Sequence, residues 1–250
     1  MIPIVTYQLT PFLPSNYFGA ELNTEWIRKV VSKLKRKSQY KLEAEDVDTS
    51  LYYNHNSETN QNIVGYPKII YHYINYQFYI TGLLDGVKPL EKLASIYKND
   101  FKMDGVFLTG FKKIETISEN TIFSTSDMQS YKLIKWIPYN HGDFDDYEKM
   151  FLTEKAQNLN LKLNLHIDKE MGKNLKIDFP NLKTIITDIT NVYPEAVVYG
   201  DPPNNYYAYD IKFITNISFP TFITLGNIKS LGFGRIEKII PNDVHVIKNK

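Results

Sequence analysis

Cysteine is absent from the 250 residues, which excludes disulfides and thiolate metal sites. No run approaches the roughly 18 consecutive apolar residues that a membrane-crossing helix needs. The opening segment, MIPIVTYQLTPF, lacks a basic patch followed by an apolar block, so no secretory signal is expected. Charge of one sign is lacking too: 29 Lys and Arg against 28 Asp and Glu leave a net charge of +1. A uniformly basic surface is therefore excluded, and any nucleic-acid site must be a local patch. Together these absences lead to the expectation of a cytoplasmic protein with no membrane partner. Aromatic residues, in contrast, are plentiful, with 19 Tyr and 14 Phe beside 2 Trp. Such rings suit base stacking. A chain rich in Lys, Asn, Ile and Tyr also follows from AT-rich coding, so no single ring is singled out.

The length allows one large domain or two small ones packed together. Residues 2–13 alternate as a strand. Asn23 suits an N-cap, and Trp26, Ile27, Val30, Val31 and Leu34 form the apolar stripe of a helix running to about residue 34. A basic cluster of Lys33, Lys35, Arg36, Lys37 and Lys41 follows, of the sign that suits a helix C-terminus. Residues 67–74 and 77–83 read as a hairpin turning at Asn75 and Tyr76. A short helix with Leu90, Leu93, Ala94 and Tyr97 on one face comes next, then a β-rich stretch over 104–117. This β-α-β-β-α-β order is the ferredoxin-like pattern, which RNA-recognition modules commonly use.

The second half opens with a strand near 130–138. A helix is expected over about 143–173, favoured by length and by the acidic start at Asp143, Asp145, Asp146 and Glu148. The alternation in LNLKLNLHI (159–167) competes with it as a strand. Short strands are expected at 175–179, 183–190, 196–199 and 207–218, with a turn at Gly200-Asp201-Pro202-Pro203-Asn204-Asn205. No low-complexity linker separates the halves. The fold expected is α+β, with two tandem ferredoxin-like (RRM-like) modules packed side by side, spanning 1–120 and 121–250.

The most informative segment is FITNISFPTFITLGNIKSLGFGRIEKII, residues 213–240. Gly226, Gly232 and Gly234 surround Lys229 and Ser230, and Arg235 follows directly. Glycines let backbone N–H groups approach a phosphate, and Lys and Arg add positive charge. Glycine-rich loops also make plain turns and bulges. No Gly-Lys-Ser/Thr closes the segment as in a P-loop, and it lacks the dinucleotide spacing.

Phe213-Ile214-Thr215-Asn216, Phe219-Pro220, Leu225-Gly226 and Gly232-Phe233-Gly234 resemble the C-terminal end of CRISPR repeat-processing endoribonucleases. These belong to the RAMP superfamily, and the likeness is to their archaeal and Bacteroidetes-type branch. Three other stretches agree in order. Asn54-His55 with Gly65-Tyr66-Pro67-Lys68-Ile69-Ile70-Tyr71 resembles the branch's His-Asn-His and Tyr-Pro-x-Ile-Gln-Tyr motifs. Trp136-Ile137-Pro138-Tyr139-Asn140 with Phe144 and Tyr147 resembles its Trp-x-x-Leu-Asn…Asn-Tyr-x-x-Tyr segment. The helix carrying Gly172 and Lys173 resembles the one before the branch's final strands. The chain departs from the branch at Tyr53, where a His is usual, and at Asn227, where a Lys commonly follows the first Gly; Lys229 is the nearby stand-in.

The resemblance implies a ribonuclease-like cut of CRISPR repeat RNA. The RNA's own 2′-hydroxyl attacks the adjacent phosphate and leaves a 2′,3′-cyclic phosphate and a 5′-hydroxyl. Such a reaction needs a base, a proton donor for the departing oxygen and positive charge on the phosphate. It implies no metal and no cofactor, and the five histidines (55, 72, 141, 166 and 245) show no paired ligand spacing. His55, in a polar loop, is the implied imidazole catalyst. Tyr53 orients the phosphate or donates a proton, and Lys68 reaches the phosphate from a strand start. Gly226, Lys229, Ser230, Gly232, Gly234 and Arg235 are the implied RNA-binding residues, with Lys33, Arg36 and Lys37 extending the phosphate track. His72, His141 and His166 read as packing residues. A homodimer and other CRISPR effector subunits are candidate partners beside the repeat RNA. The competing reading is a relative that holds a repeat-derived tag in an effector complex without cutting it.

Overall fold

The computed structural model describes residues 3–13, 21–53, 66–114, 122–139, 144–199 and 204–239. Its first part runs β1 (Ile4–Leu9), β2 (Pro11–Phe12), α1 (Thr24–Lys37), α2 (Gln39–Glu43), β3 (Ile69–Ile74), β4 (Gln77–Leu83), α3 (Val87–Ile96), β5 (Phe101–Met103), β6 (Val106–Leu108) and β7 (Lys112–Ile114). Four strands form an antiparallel sheet in the order β3-β4-β1-β7. That is the split arrangement of a ferredoxin-like module, with α1 and α3 as its helices. A side sheet, β2-β6-β5, extends it.

Local chemistry explains these elements. The Asn23 side chain accepts from the Trp26 amide at 2.9 Å, capping α1. The stripe Trp26, Ile27, Val30, Val31 and Leu34 is buried against Val5, Tyr7, Ile69, Tyr71 and Phe78. Asn75 and Tyr76 both have positive φ, 50° and 61°, as a two-residue hairpin turn requires.

The second part runs β8 (Phe123–Trp136), α4 (Phe144–Glu148), α5 (Leu152–Leu165), a π-helical turn (His166–Gly172), α6 (Lys173–Leu175), β9 (Thr184–Tyr199), β10 (Asn204–Ser218) and β11 (Arg235–Lys238). Its sheet order is β11-β8-β10-β9, again ferredoxin-like. The place of the module's second helix, between β10 and β11, holds only a 3₁₀ turn, Lys229–Leu231.

Three expectations need correction. The helix expected over 143–173 is broken into separate pieces. Its alternating stretch is helical because Leu159, Leu163, Ile167 and Met171, spaced by four, are all buried in one core. The strand expected at 175–179 does not form. Lys176 turns left-handed (φ 56°), and the Ile177 amide returns 2.8 Å to the Gly172 carbonyl, ending the helix. The strands expected at 183–190 and 196–199 are one strand, β9. Pro194 is tolerated because β9 is an edge, and the register shifts between Tyr206–Val197 and Ala208–Tyr193.

The two sheets share one core. Ile4, Tyr66, Ile70 and Leu83 from the first part are buried with Tyr131, Leu133, Trp136, Leu225 and Ile236 from the second. Alternation along β3 thus sends Ile69 and Tyr71 toward α1 and Ile70 toward the second module.

Candidate functional site

The segment between β10 and β11 lies where the modules meet. Gly226 (φ +92°) sits flat on the indole of Trp136: an added Cβ would stand 2.6 Å from Trp136 Cδ1 and 2.7 Å from the Ile137 carbonyl oxygen. Asn227 donates to that same carbonyl from its amide at 2.9 Å and from its side chain at 3.2 Å. Gly232 (φ +79°) presses on β3, where a Cβ would stand 2.6 Å from the Tyr71 carbonyl oxygen and 2.9 Å from His72 Nδ1. Gly234 is held between strands, with its amide 3.0 Å from the Ile134 carbonyl and its carbonyl accepting the Leu225 amide at 2.8 Å.

Lys229 points inward. Its amine donates to Glu170 Oε2 at 2.7 Å and to the Gly226 carbonyl at 2.6 Å, and its side chain is only 11% exposed. The amine also stands 6.0 Å from the ring centre of Tyr66. Glu170 Oε1 faces His166 Nε2 at 3.6 Å, and His166 Nδ1 accepts the Trp136 indole N–H at 3.0 Å. That bond keeps Nδ1 unprotonated. Burial lowers the His166 pKa to about 4, Glu170 opposing and Lys229 and Lys162 adding to the fall.

On the other side of the segment, His72 is buried with Nε2 3.2 Å from the Phe222 carbonyl oxygen. Burial lowers its pKa to about 4, with the neighbouring Arg235 charge contributing. Phe222 stacks on Tyr79 at 4.6 Å. Arg235 pairs with Glu237 at 2.6 Å and its side chain is 18% exposed. Burial draws its pKa below the ordinary value, while Glu237 and Asp210 counter that. It stays charged, as a guanidinium does across the physiological range.

The structure therefore gathers Gly226, Lys229, Ser230, Gly232, Gly234 and Arg235 at one seam. Lys68 lies two residues from Tyr66, which bonds this seam at Thr224, and its amine stands 3.9 Å from Asp85. Lys33, Arg36 and Lys37 are not brought to the seam. Helix α1 covers the face of the first sheet that carries Ile69 and Tyr71, whereas the glycine segment meets the side chain of His72 on the opposite face. Lys33 is paired with Asp104 at 2.6 Å. His55, His141 and His245 lie outside the described residues, and of Tyr53 only the backbone is described, as the last residue of a 3₁₀ turn, Thr49–Tyr53.

Sequence reasoning missed Glu170 and left Trp136 and His166 without a role at the seam. One signal was available: His166 and Glu170 stand one turn apart on a helix that the glycine segment follows. Among the described residues, no three potential ligand side chains converge to hold a metal.

Residues 123–239 match the family model of the Cas6b C-terminal domain. The Cas6-type fold extends over nearly the whole chain. A solved Cas6b is 17% identical with a TM-score of 0.68, the match covering 96% of this chain and 100% of that one. A second structure, described as a CRISPR RNA processing endoribonuclease Cas6b, is 18% identical with a TM-score of 0.58, over 96% and 100%. A third, Csf5, described as a type IV Cas6 crRNA endonuclease, is 12% identical with a TM-score of 0.56, over 94% and 100%. No curated protein matches the chain. These likenesses give the chain a Cas6-type fold, the fold that the resemblance of its glycine segment and accompanying motifs implies. No helix of the Cas6-type fold among the described residues is long and apolar enough to cross a membrane.

Proposed function

We propose that this chain binds CRISPR repeat RNA along the glycine-segment seam and cuts it to produce guide RNAs in the cytoplasm. The observation that carries this reading is the seam itself. A cation-bearing, glycine-rich segment with φ values of +92°, +79° and +70° at its glycines lies within the residues that match the Cas6b C-terminal domain model, pressed against β3. Left-handed backbone and clustered positive charge at such a segment suit a phosphodiester backbone.

The reaction is an internal transesterification. A base takes the 2′-hydroxyl proton, the 2′-oxygen bonds to phosphorus, and the bond from phosphorus to the 5′-oxygen breaks. A proton donor delivers a proton to the departing oxygen, leaving a 2′,3′-cyclic phosphate and a 5′-hydroxyl. His55 is the base in this reading. Tyr53 orients the phosphate or donates the proton, because its high ordinary pKa makes it a poor base. Lys68 and Arg235 supply charge to the phosphate. No step requires a metal.

A second reading has one observation in its favour: Tyr53 stands where the related branch carries His. A protein that lost its acid–base partner would hold the repeat without cutting. The deciding experiment is incubation of the purified protein with the repeat RNA of its own locus in EDTA, wild type beside His55→Ala. One cut that disappears in the variant, and on RNA with a 2′-deoxy scissile nucleotide, supports the enzyme. Tight binding with no cut by the wild type overturns it in favour of the holding subunit.

A further inference from the structure

We infer that Lys229 is a positioning residue, locked by Glu170 as an internal strut of the glycine segment, and that it does not contact the RNA phosphate itself. The inference rests on the proposed RNA-binding role of the seam and gives the seam's lysine a different task from the one its sequence context suggests.

The geometry is a closed circuit. The Trp136 indole N–H donates to His166 Nδ1 at 3.0 Å. His166 must then carry its proton on Nε2, which faces Glu170 Oε1 at 3.6 Å. The other oxygen, Oε2, accepts from Lys229 at 2.7 Å. Lys229 also donates to the Gly226 carbonyl at 2.6 Å, and Gly226 lies against the Trp136 ring where the circuit began. The members come from the end of β8, the π-helical turn and the segment itself. The π turn adds a residue to the helix just where His166 and Glu170 must face the segment.

Three considerations favour a strut over a phosphate ligand. The lysine has three N–H donors, and two of them already make short charge-assisted bonds. Its side chain is 11% exposed, whereas that of Glu170 is 37% exposed. Swinging Lys229 out to a phosphate would leave Glu170 facing a neutral, buried imidazole, close to an incoming anion. Holding Lys229 in place neutralises that carboxylate and fixes the left-handed turn at Gly226. With the amides of Asn227, Gly232 and Gly234 also bonded within the protein, the guanidinium of Arg235 is then the segment's cation left for the RNA.

Salt dependence separates the two roles. Repeat RNA carrying a 2′-deoxy scissile nucleotide is titrated against wild type, Glu170→Gln, Lys229→Met and the double variant, over a range of salt. A strut predicts that each single variant weakens binding by about tenfold, that the double is no worse than either single, and that the log–log salt slope stays at the wild-type value. A phosphate ligand predicts otherwise: Lys229→Met lowers the slope by about one, while Glu170→Gln frees the lysine and tightens binding. That pattern overturns the inference.

Amine reactivity tests the same point without any variant. In free wild-type protein, a strut leaves Lys229 slow to react with an acylating reagent, measured by mass spectrometry against an exposed lysine such as Lys149. A phosphate ligand is reactive when free and protected only when RNA is added. If the wild type binds no repeat RNA at all, the functional reading falls. Slow acylation would then still uphold the strut, and fast acylation would overturn it.

Discussion

The hydroxyl of Tyr66 donates to the Thr224 carbonyl at 2.7 Å and accepts the amide of the same residue at 3.1 Å. The two residues are 158 positions apart and both are buried. One leads into β3 of the first sheet and the other opens the glycine segment of the second. This two-way bond ties the modules together at the candidate site. Burial drives the phenol's pKa well above its ordinary value, so the hydroxyl keeps its proton.

Removing that hydroxyl leaves a buried amide and a buried carbonyl without their partner. Tyr66→Phe is therefore expected to cost about 1–3 kcal/mol of stability. The check is urea unfolding: the midpoint should fall while the m-value holds. An unchanged midpoint would show that water or a shifted backbone replaces the bond.

Gly232→Ala is expected to damage the seam more than the fold. Its Cβ would stand 2.6 Å from the Tyr71 carbonyl oxygen at a φ of +79°. A left-handed alanine alone costs about 1–2 kcal/mol, and the clash must also push the segment off β3. RNA affinity should drop at least tenfold, while exposed Thr221→Ala on the same segment should bind like wild type. Equal affinities for the two variants would contradict this placement.

His72 and His166 make stability depend on pH in a known direction. Both are buried with pKa lowered to about 4, against an ordinary value of about 6.5. Above pH 6.5 both are neutral folded or unfolded, so their contribution to stability is complete. As pH falls from 6.5 toward 4, the unfolded chain takes up protons that the folded chain refuses. Each group then costs about 1.4 kcal/mol per pH unit. Denaturant unfolding at pH 7.5 and 5.5 should show a loss of about 2–3 kcal/mol from the pair. His72→Gln, which can still donate to the Phe222 carbonyl, should show about half that loss, and an undiminished loss would mean that His72 is not the group responsible.

Arg235→Gln should weaken RNA binding by about tenfold at moderate salt and lower the log–log salt slope by about one. The unfolding midpoint should shift little, because the Glu237 partner is itself part-exposed. A slope identical to wild type would remove Arg235 from the RNA contacts.

Much of the fold was legible because its signals are local. The α1 stripe and its Asn23 cap need only neighbours within one turn, and the structure buries that stripe as a unit. Asn75 and Tyr76 mark their hairpin by standing between two apolar runs. The glycines at 226, 232 and 234 were visible as a pattern, because left-handed backbone favours glycine wherever it occurs.

What tertiary structure alone decided depends on partners far away in the chain. The 159–167 stretch alternates like a strand; its length and the acidic start favour the helix, and burial of every fourth residue in one core is what fixes it. Residues 175–179 look like a strand until the Ile177 amide finds the Gly172 carbonyl. Lys229 shows the same limit at the site. From sequence, a lysine among glycines is a free cation for phosphate. Packing of the π turn against the segment brings Glu170, 59 residues away, to within 2.7 Å of its amine. Sequence determined that positive charge and glycine-permitted backbone would occur together; the fold decided which cation faces inward, because only the fold puts a carboxylate beside it.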